Sequence, residues 1–215
     1  MIRFAPFAVA ILAALIFANG GHSVVANGQM SRTTTSAQQA EITEKNWQSH
    51  PEIIQIRRIV NTIDNGLKRR SFKISQREFE ICDDQYFTRW RIARNAKGSP
   101  RWYEDYSEGA DASWDFYYYY DETGHLRFVY AIARSTNGTR EQLRLYYDES
   151  GKRIWQDHKF LKGPGCPGCF GAYLDSDAAI AFDANKAFAN YSGCTEIKPK
   201  PKAQTKPKRV EAAKQ

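Results

Sequence analysis

Histidine, cysteine and methionine are scarce in this chain of 215 residues: four, four and two respectively. Beyond the N-terminal segment only His50, His125 and His158 remain, at spacings that gather neither metal ligands nor a catalytic triad. No Gly-rich phosphate cradle and no Gly-x-Ser-x-Gly elbow occur, which removes the commonest nucleotide-binding and hydrolase signatures. Cys169 is followed by Phe170 and not by His, so c-type haem attachment is excluded, and no cofactor is expected. Long hydrophobic runs are missing too. The longest, Phe4 to Ala18, is broken only by Pro6 and falls short of the roughly 20 residues that span a bilayer. No transmembrane span is expected in the mature chain.

What the N-terminus has instead is an export pattern. Arg3 supplies a positive start, the apolar run follows, and Val24-Val25-Ala26 offers small residues for cleavage, so residues 1–26 read as a signal peptide. Export to a bacterial periplasm or the medium is the expectation. Residues 27–46, rich in Ser, Thr, Gln and Ala, read as a flexible lead-in. Residues 47–194 read as a single domain, long enough to bury its own core. Residues 195–215 form a Lys/Pro-rich tail expected to be disordered. Seven basic residues there, Lys198 to Lys214, face only Glu196 and Glu211, so most of the net charge of +7 belongs to the tail. The high pI therefore gives no reason to expect specific nucleic-acid binding by the folded body. The tail itself suits electrostatic contact with anionic envelope components.

The strongest internal signal is a motif written twice. Tyr119-Tyr120-Asp121-Glu122-Thr123-Gly124 returns 27 residues later as Tyr146-Tyr147-Asp148-Glu149-Ser150-Gly151. Aromatic residues run into an acidic turn closed by Gly, and a β-prone run follows, which spells strand–turn–strand. The string from Tyr119 to Leu126 resembles the YD-type repeat of large bacterial shell proteins. It does so in one good copy and one copy where Arg153 stands in place of Leu. That resemblance implies the hairpin alone. The acids at 121, 122, 148 and 149 read as turn openers, because a calcium loop needs more oxygen ligands at regular spacing.

Around this centre the pattern predicts an α+β domain. Pro51 and Glu52 open a helix whose Ile53, Ile56, Val60, Ile63 and Leu67 form one apolar stripe, with Asn65-Gly66 fraying its end. From Phe72 the period changes to two, predicting a curved antiparallel meander of six or seven strands, the last (Arg153 to Leu161) at an edge. A further helix is predicted from Ser176 or Asp177 towards Ala189.

The candidate chemistry sits in Cys166-Pro167-Gly168-Cys169. With Cys82 and Cys194 it completes an even set of four thiols, and in an exported protein two disulfides pinning the C-terminal segment are the default reading. All three pairings stay open. The alternative is a redox pair with Cys166 as attacker and Cys169 as resolver. A separate recognition surface is expected at Tyr117, Tyr119, Tyr146 and Trp155 if these share an exposed face. Three functions follow. The first is an exported, non-enzymatic binding or inhibitor-type protein whose partner is a protein or envelope polymer. The second is a thiol–disulfide oxidoreductase, and the third an envelope-associated structural protein held by its tail.

Overall fold

The computed structural model describes residues 41–82, 85–166, 169–189 and 195–197, without the side chains of Ile81, Cys82 and Gln85. The predicted signal peptide, most of the lead-in, Cys194 and the tail beyond Ile197 lie outside the described residues. A 3-10 turn at Trp47–Ser49 leads into helix α1 (Pro51–Lys68). Seven long strands follow: β1 (Lys73–Cys82), β2 (Gln85–Arg94), β3 (Pro100–Gly109), β4 (Ala112–Tyr120), β5 (Leu126–Ser135), β6 (Arg140–Tyr147) and β7 (Arg153–Lys162). Short helices α2 (Gly171–Asp175) and α3 (Ala184–Ala189) come next, then a two-residue strand β8 (Thr195–Glu196). The sheet is an antiparallel meander in the order β7-β6-β5-β4-β3-β2-β1-β8, with β7 at one edge as its polar sequence suggests.

Alternation sorts the sheet into two faces, because successive side chains in a strand point to opposite sides. On the first face Ala93, Trp102, Tyr119, Phe128, Tyr146 and Trp155 occupy one cross-strand rung. Helix α1 lays its stripe over it, burying Ile53, Ile56 and Ile63 completely. Trp47 stacks on Trp155 with ring centroids 5.8 Å apart, and the Tyr119 hydroxyl donates to Asp64 Oδ1 at 3.1 Å. Burying such side chains contributes roughly 1.5–3 kcal/mol each, which holds this helix far more firmly than its intrinsic propensity. Gly66 does not end the helix. It stands in the last turn because a methyl group there would overlap the Phe72 ring, which crosses the helix at that point.

On the second face Phe79, Ile92, Tyr103, Phe116, Tyr118, Tyr120, Val129, Leu143, Leu145 and Tyr147 form a larger core. The chain after β7 folds back over it, inserting Phe170, Ile180 and Ala184. The helix predicted from Ser176 or Asp177 towards Ala189 is instead an irregular stretch followed by α3, and α2 lies ahead of it, beginning just after Cys169. Phe182 lies in that stretch against Tyr147, where packing on the sheet replaces helical continuation.

The doubled motif performs one structural task twice. Arg101 and Arg127 are buried, and their Nε atoms donate to the Tyr120 and Tyr147 carbonyls, each at 3.1 Å. Their guanidinium groups reach Glu122 and Glu149, the matching acids of the two copies. Asp121 and Asp148 hold the turns, accepting from the Thr123 and Ser150 hydroxyls (both 2.6 Å) and from backbone amides. Burial works to raise both carboxyl pKa values, yet these hydrogen bonds outweigh it and leave both below the usual carboxylate range. Two residues assigned by composition to the tail join the sheet: Thr195 pairs with Glu80, and Glu196 bonds the Arg77 guanidinium at 2.9 Å. Ile42, in the lead-in, packs against the α1 core.

Candidate functional site

Two acids interrupt the apolar second face. Glu141 precedes Leu143, Leu145 and Tyr147 on the inward side of β6, and Asp105 lies beyond Tyr103 on β3. An inward acid needs a partner or shifts its pKa, so both positions are informative. Between them runs the loop that carries the cysteines.

Cys166 and Cys169 are bonded to each other, with Cα atoms 5.4 Å apart. This local closure is one of the open alternatives and differs from a long-range staple to Cys82 or Cys194. Cys169 is buried and Cys166 is half-exposed. The loop is anchored at several points. Thr139 Oγ1 donates to the Gly165 carbonyl at 3.0 Å, and the Trp114 indole N–H donates to the Cys169 carbonyl at 3.3 Å. Gly163 turns with φ +86°, its Cα so close to the Thr139 backbone that any side chain would collide. Beneath the loop, Glu141 is 1% exposed. Its Oε1 accepts from the Cys166 amide at 2.7 Å, and its Oε2 lies 3.0 Å from His158 Nε2. A carboxylate oxygen and both sulfurs fall within 4.8 Å of one another. The Phe170 ring closes the far side, edge-on to His158 at 5.8 Å.

The second acid borders the same loop. Asp105, Ser107, Trp114, Phe116, Cys169 and Tyr173 line a pocket of about 280 Å³. Asp105 Oδ1 accepts from the Trp90 indole N–H at 3.0 Å, the one hydrogen bond to this carboxylate among the described residues. Burial pushes its pKa up to about 6; the Trp90 bond opposes the shift and the charge on Glu104 adds to it.

The sequence-predicted residues are thus divided. Cys166 and Cys169 stand at the centre of the site. Cys82 ends β1, and Cys194 lies outside the described residues. Tyr117, Tyr119, Tyr146 and Trp155 do share a face, but it is the one beneath α1. Tyr119 and Tyr146 are buried there, and Tyr117 and Trp155 half-buried, so the four form no open patch. Glu141, His158 and Asp105 were not singled out by sequence reasoning. Glu141 had a signal, an acid in register with an apolar alternation; Asp105 sits among the mixed residues of β3 and had none. No known protein family, curated protein or solved structure matches the chain. Among the described residues no helix is long and apolar enough to cross a membrane.

Proposed function

We propose that the protein is an exported thiol–disulfide exchange protein working through Cys166 and Cys169. The observation that carries this reading is the asymmetry of the closed pair: a half-exposed Cys166 in front, a buried Cys169 behind, and beside both sulfurs the Glu141 carboxylate, whose other oxygen meets His158. Exchange needs one sulfur that a thiolate can reach and a leaving sulfur that can take a proton. A substrate thiolate attacks Cys166 Sγ, the Cys166–Cys169 bond breaks, and its electron pair leaves on Cys169. The Glu141–His158 pair holds the proton that this sulfur requires, since a bare thiolate beside the Glu141 carboxylate would be repelled. The second thiolate of a dithiol substrate then attacks the substrate sulfur of the mixed disulfide and frees Cys166, which takes up the second proton. Overall the protein disulfide gains two electrons and two protons, and the substrate dithiol becomes a disulfide. Exposed Phe160 and Leu161, on β7 beside the loop, offer an apolar edge for an extended substrate.

The test is trapping. With a disulfide-bonded peptide, the Cys166 thiolate of the Cys169→Ser variant is expected to attack one peptide sulfur, release the other as a thiol and remain as a mixed disulfide, and Cys166→Ser to form far less. Equal trapping by both variants, or none by either while the native protein is inert in insulin reduction, overturns the proposal.

A second reading, the non-enzymatic binding protein, is favoured by the pocket at Asp105, which stands formed beside the closed disulfide.

A further inference from the structure

We propose that the pocket between β3, β4 and α2 binds an organic cation, an alkylammonium or guanidinium group seated on the Asp105 carboxylate among Trp114, Phe116 and Tyr173. This deepens the binding-protein reading and does not depend on disulfide exchange.

Charge pairing is the first reason. The three acids that are buried in the sheet, Glu104, Asp115 and Glu141, all have basic partners, as does half-buried Asp157. Glu104 meets Arg89 and Arg91, Asp115 meets Arg134, Asp157 meets Arg144, and Glu141 meets His158. Asp105 makes no ion pair among the described residues, although it is half-buried on an apolar face. A carboxylate held away from water without a cation is costly, and an incoming cation relieves that cost directly. The direction of its pKa fits, because burial outweighs the one hydrogen bond it accepts.

The lining is the second reason. The Phe116 and Tyr173 rings lie 4.5 Å apart between centroids, and Trp114 follows Phe116 by one rung on the same face. Aromatic faces attract ammonium and guanidinium groups through the ring quadrupole. An anion would meet Asp105 with Glu104 close behind, and a neutral apolar ligand would leave the carboxylate uncompensated. Size is the third reason. A volume of about 280 Å³ lies below the usual range for drug-sized ligands and suits one side chain or a small amine.

The cation can come from a lysine or arginine of a peptide or from a free amine, and thiol-free probes separate the two. Oxidised full-length protein is titrated with n-butylammonium, with agmatine, with an acetyl-Gly-Lys-Gly-amide peptide and with neutral n-butanol, followed by calorimetry and tryptophan fluorescence. Saturable binding of the cations, at least tenfold weaker in Asp105→Asn and absent for butanol, is the expected result. A peptide binding at least tenfold tighter than n-butylammonium assigns the site to a protein ligand, and equal affinities assign it to a small amine. Both outcomes support the proposal. No saturable binding by any cation, or unchanged affinity in Asp105→Asn with native circular dichroism, overturns it. Because no probe carries a thiol, either result leaves the exchange reading to its own trapping test.

Discussion

Replacing Asp105 by Asn tests the electrostatics of the second face with one atom changed. Asn keeps an oxygen for the Trp90 indole N–H and loses the charge. The Asp105 carboxyl has a pKa near 6 in the folded chain against 3.8 for the ordinary group. Below the unfolded value both states are protonated and the group has no pH-dependent effect. Between the two values the folded state keeps a proton that the unfolded state has released, so this group's contribution to stability falls as pH rises and is gone above the folded pKa. Two units at about 1.4 kcal/mol per unit give an upper value of roughly 3 kcal/mol, and partial exposure of the side chain brings the expectation to about 2 kcal/mol. Urea denaturation at pH 4, 5, 6 and 7.5 reads this directly. Asp105→Asn should match the native protein near pH 4 and exceed it by about 2 kcal/mol at pH 7.5. Equal stability at pH 7.5, or a difference that does not change with pH, would refute the reasoning. Stabilisation on removing a charged group is the expected mark of a position kept for binding rather than for folding.

Four further outcomes follow from the same geometry. Gly66→Ala should lower stability by about 1–3 kcal/mol in thermal denaturation, because overlap with Phe72 outweighs the better helix propensity of Ala. Glu141→Gln should slow disulfide exchange about 100-fold in stopped-flow measurements while leaving n-butylammonium affinity unchanged. Non-reducing peptide mapping should recover Cys166 bonded to Cys169 and, with those two paired, Cys82 bonded to Cys194; the described pairing of Glu80 with Thr195 lies next to both positions in sequence. Removal of residues 198–215 should abolish binding to anionic vesicles, and binding of the full chain should fall with salt.

Much of the architecture was legible because it rests on local patterns. The i, i+3, i+4 spacing from Ile53 to Leu67 marked α1, and the two Tyr-Tyr-Asp-Glu copies marked the turns after β4 and β6. Tertiary contact overrode the rest. Ser75 to Glu78 carry no apolar residue to alternate, yet β1 runs unbroken because β2 pairs with it from Lys73 to Cys82. Asn65-Gly66 reads only as fraying the helix end, whereas the Phe72 ring lying against Gly66 is what leaves no room for a side chain there. Aromatic residues on both sides of β4 made one face look free, whereas α1 covers one and the segment after β7 covers the other. The candidate site was half visible. Cys166 and Cys169 lie three positions apart in sequence and were named. The alternation of β6 marks Glu141 as inward, but that it, His158 and Asp105 meet the cysteine loop follows from strand register and tertiary packing, which no local pattern encodes.

The most direct measurement is the midpoint potential of the Cys166–Cys169 pair, taken by equilibrating full-length protein in dithiol buffers and counting alkylated thiols in the peptide that carries them. Structural disulfides of secreted proteins resist reduction below about −300 mV, whereas exchange proteins lie between about −120 and −270 mV. The account predicts a midpoint in the latter range, with the fold intact on both sides of the transition. A midpoint below about −300 mV, or unfolding on reduction of this pair, would contradict it.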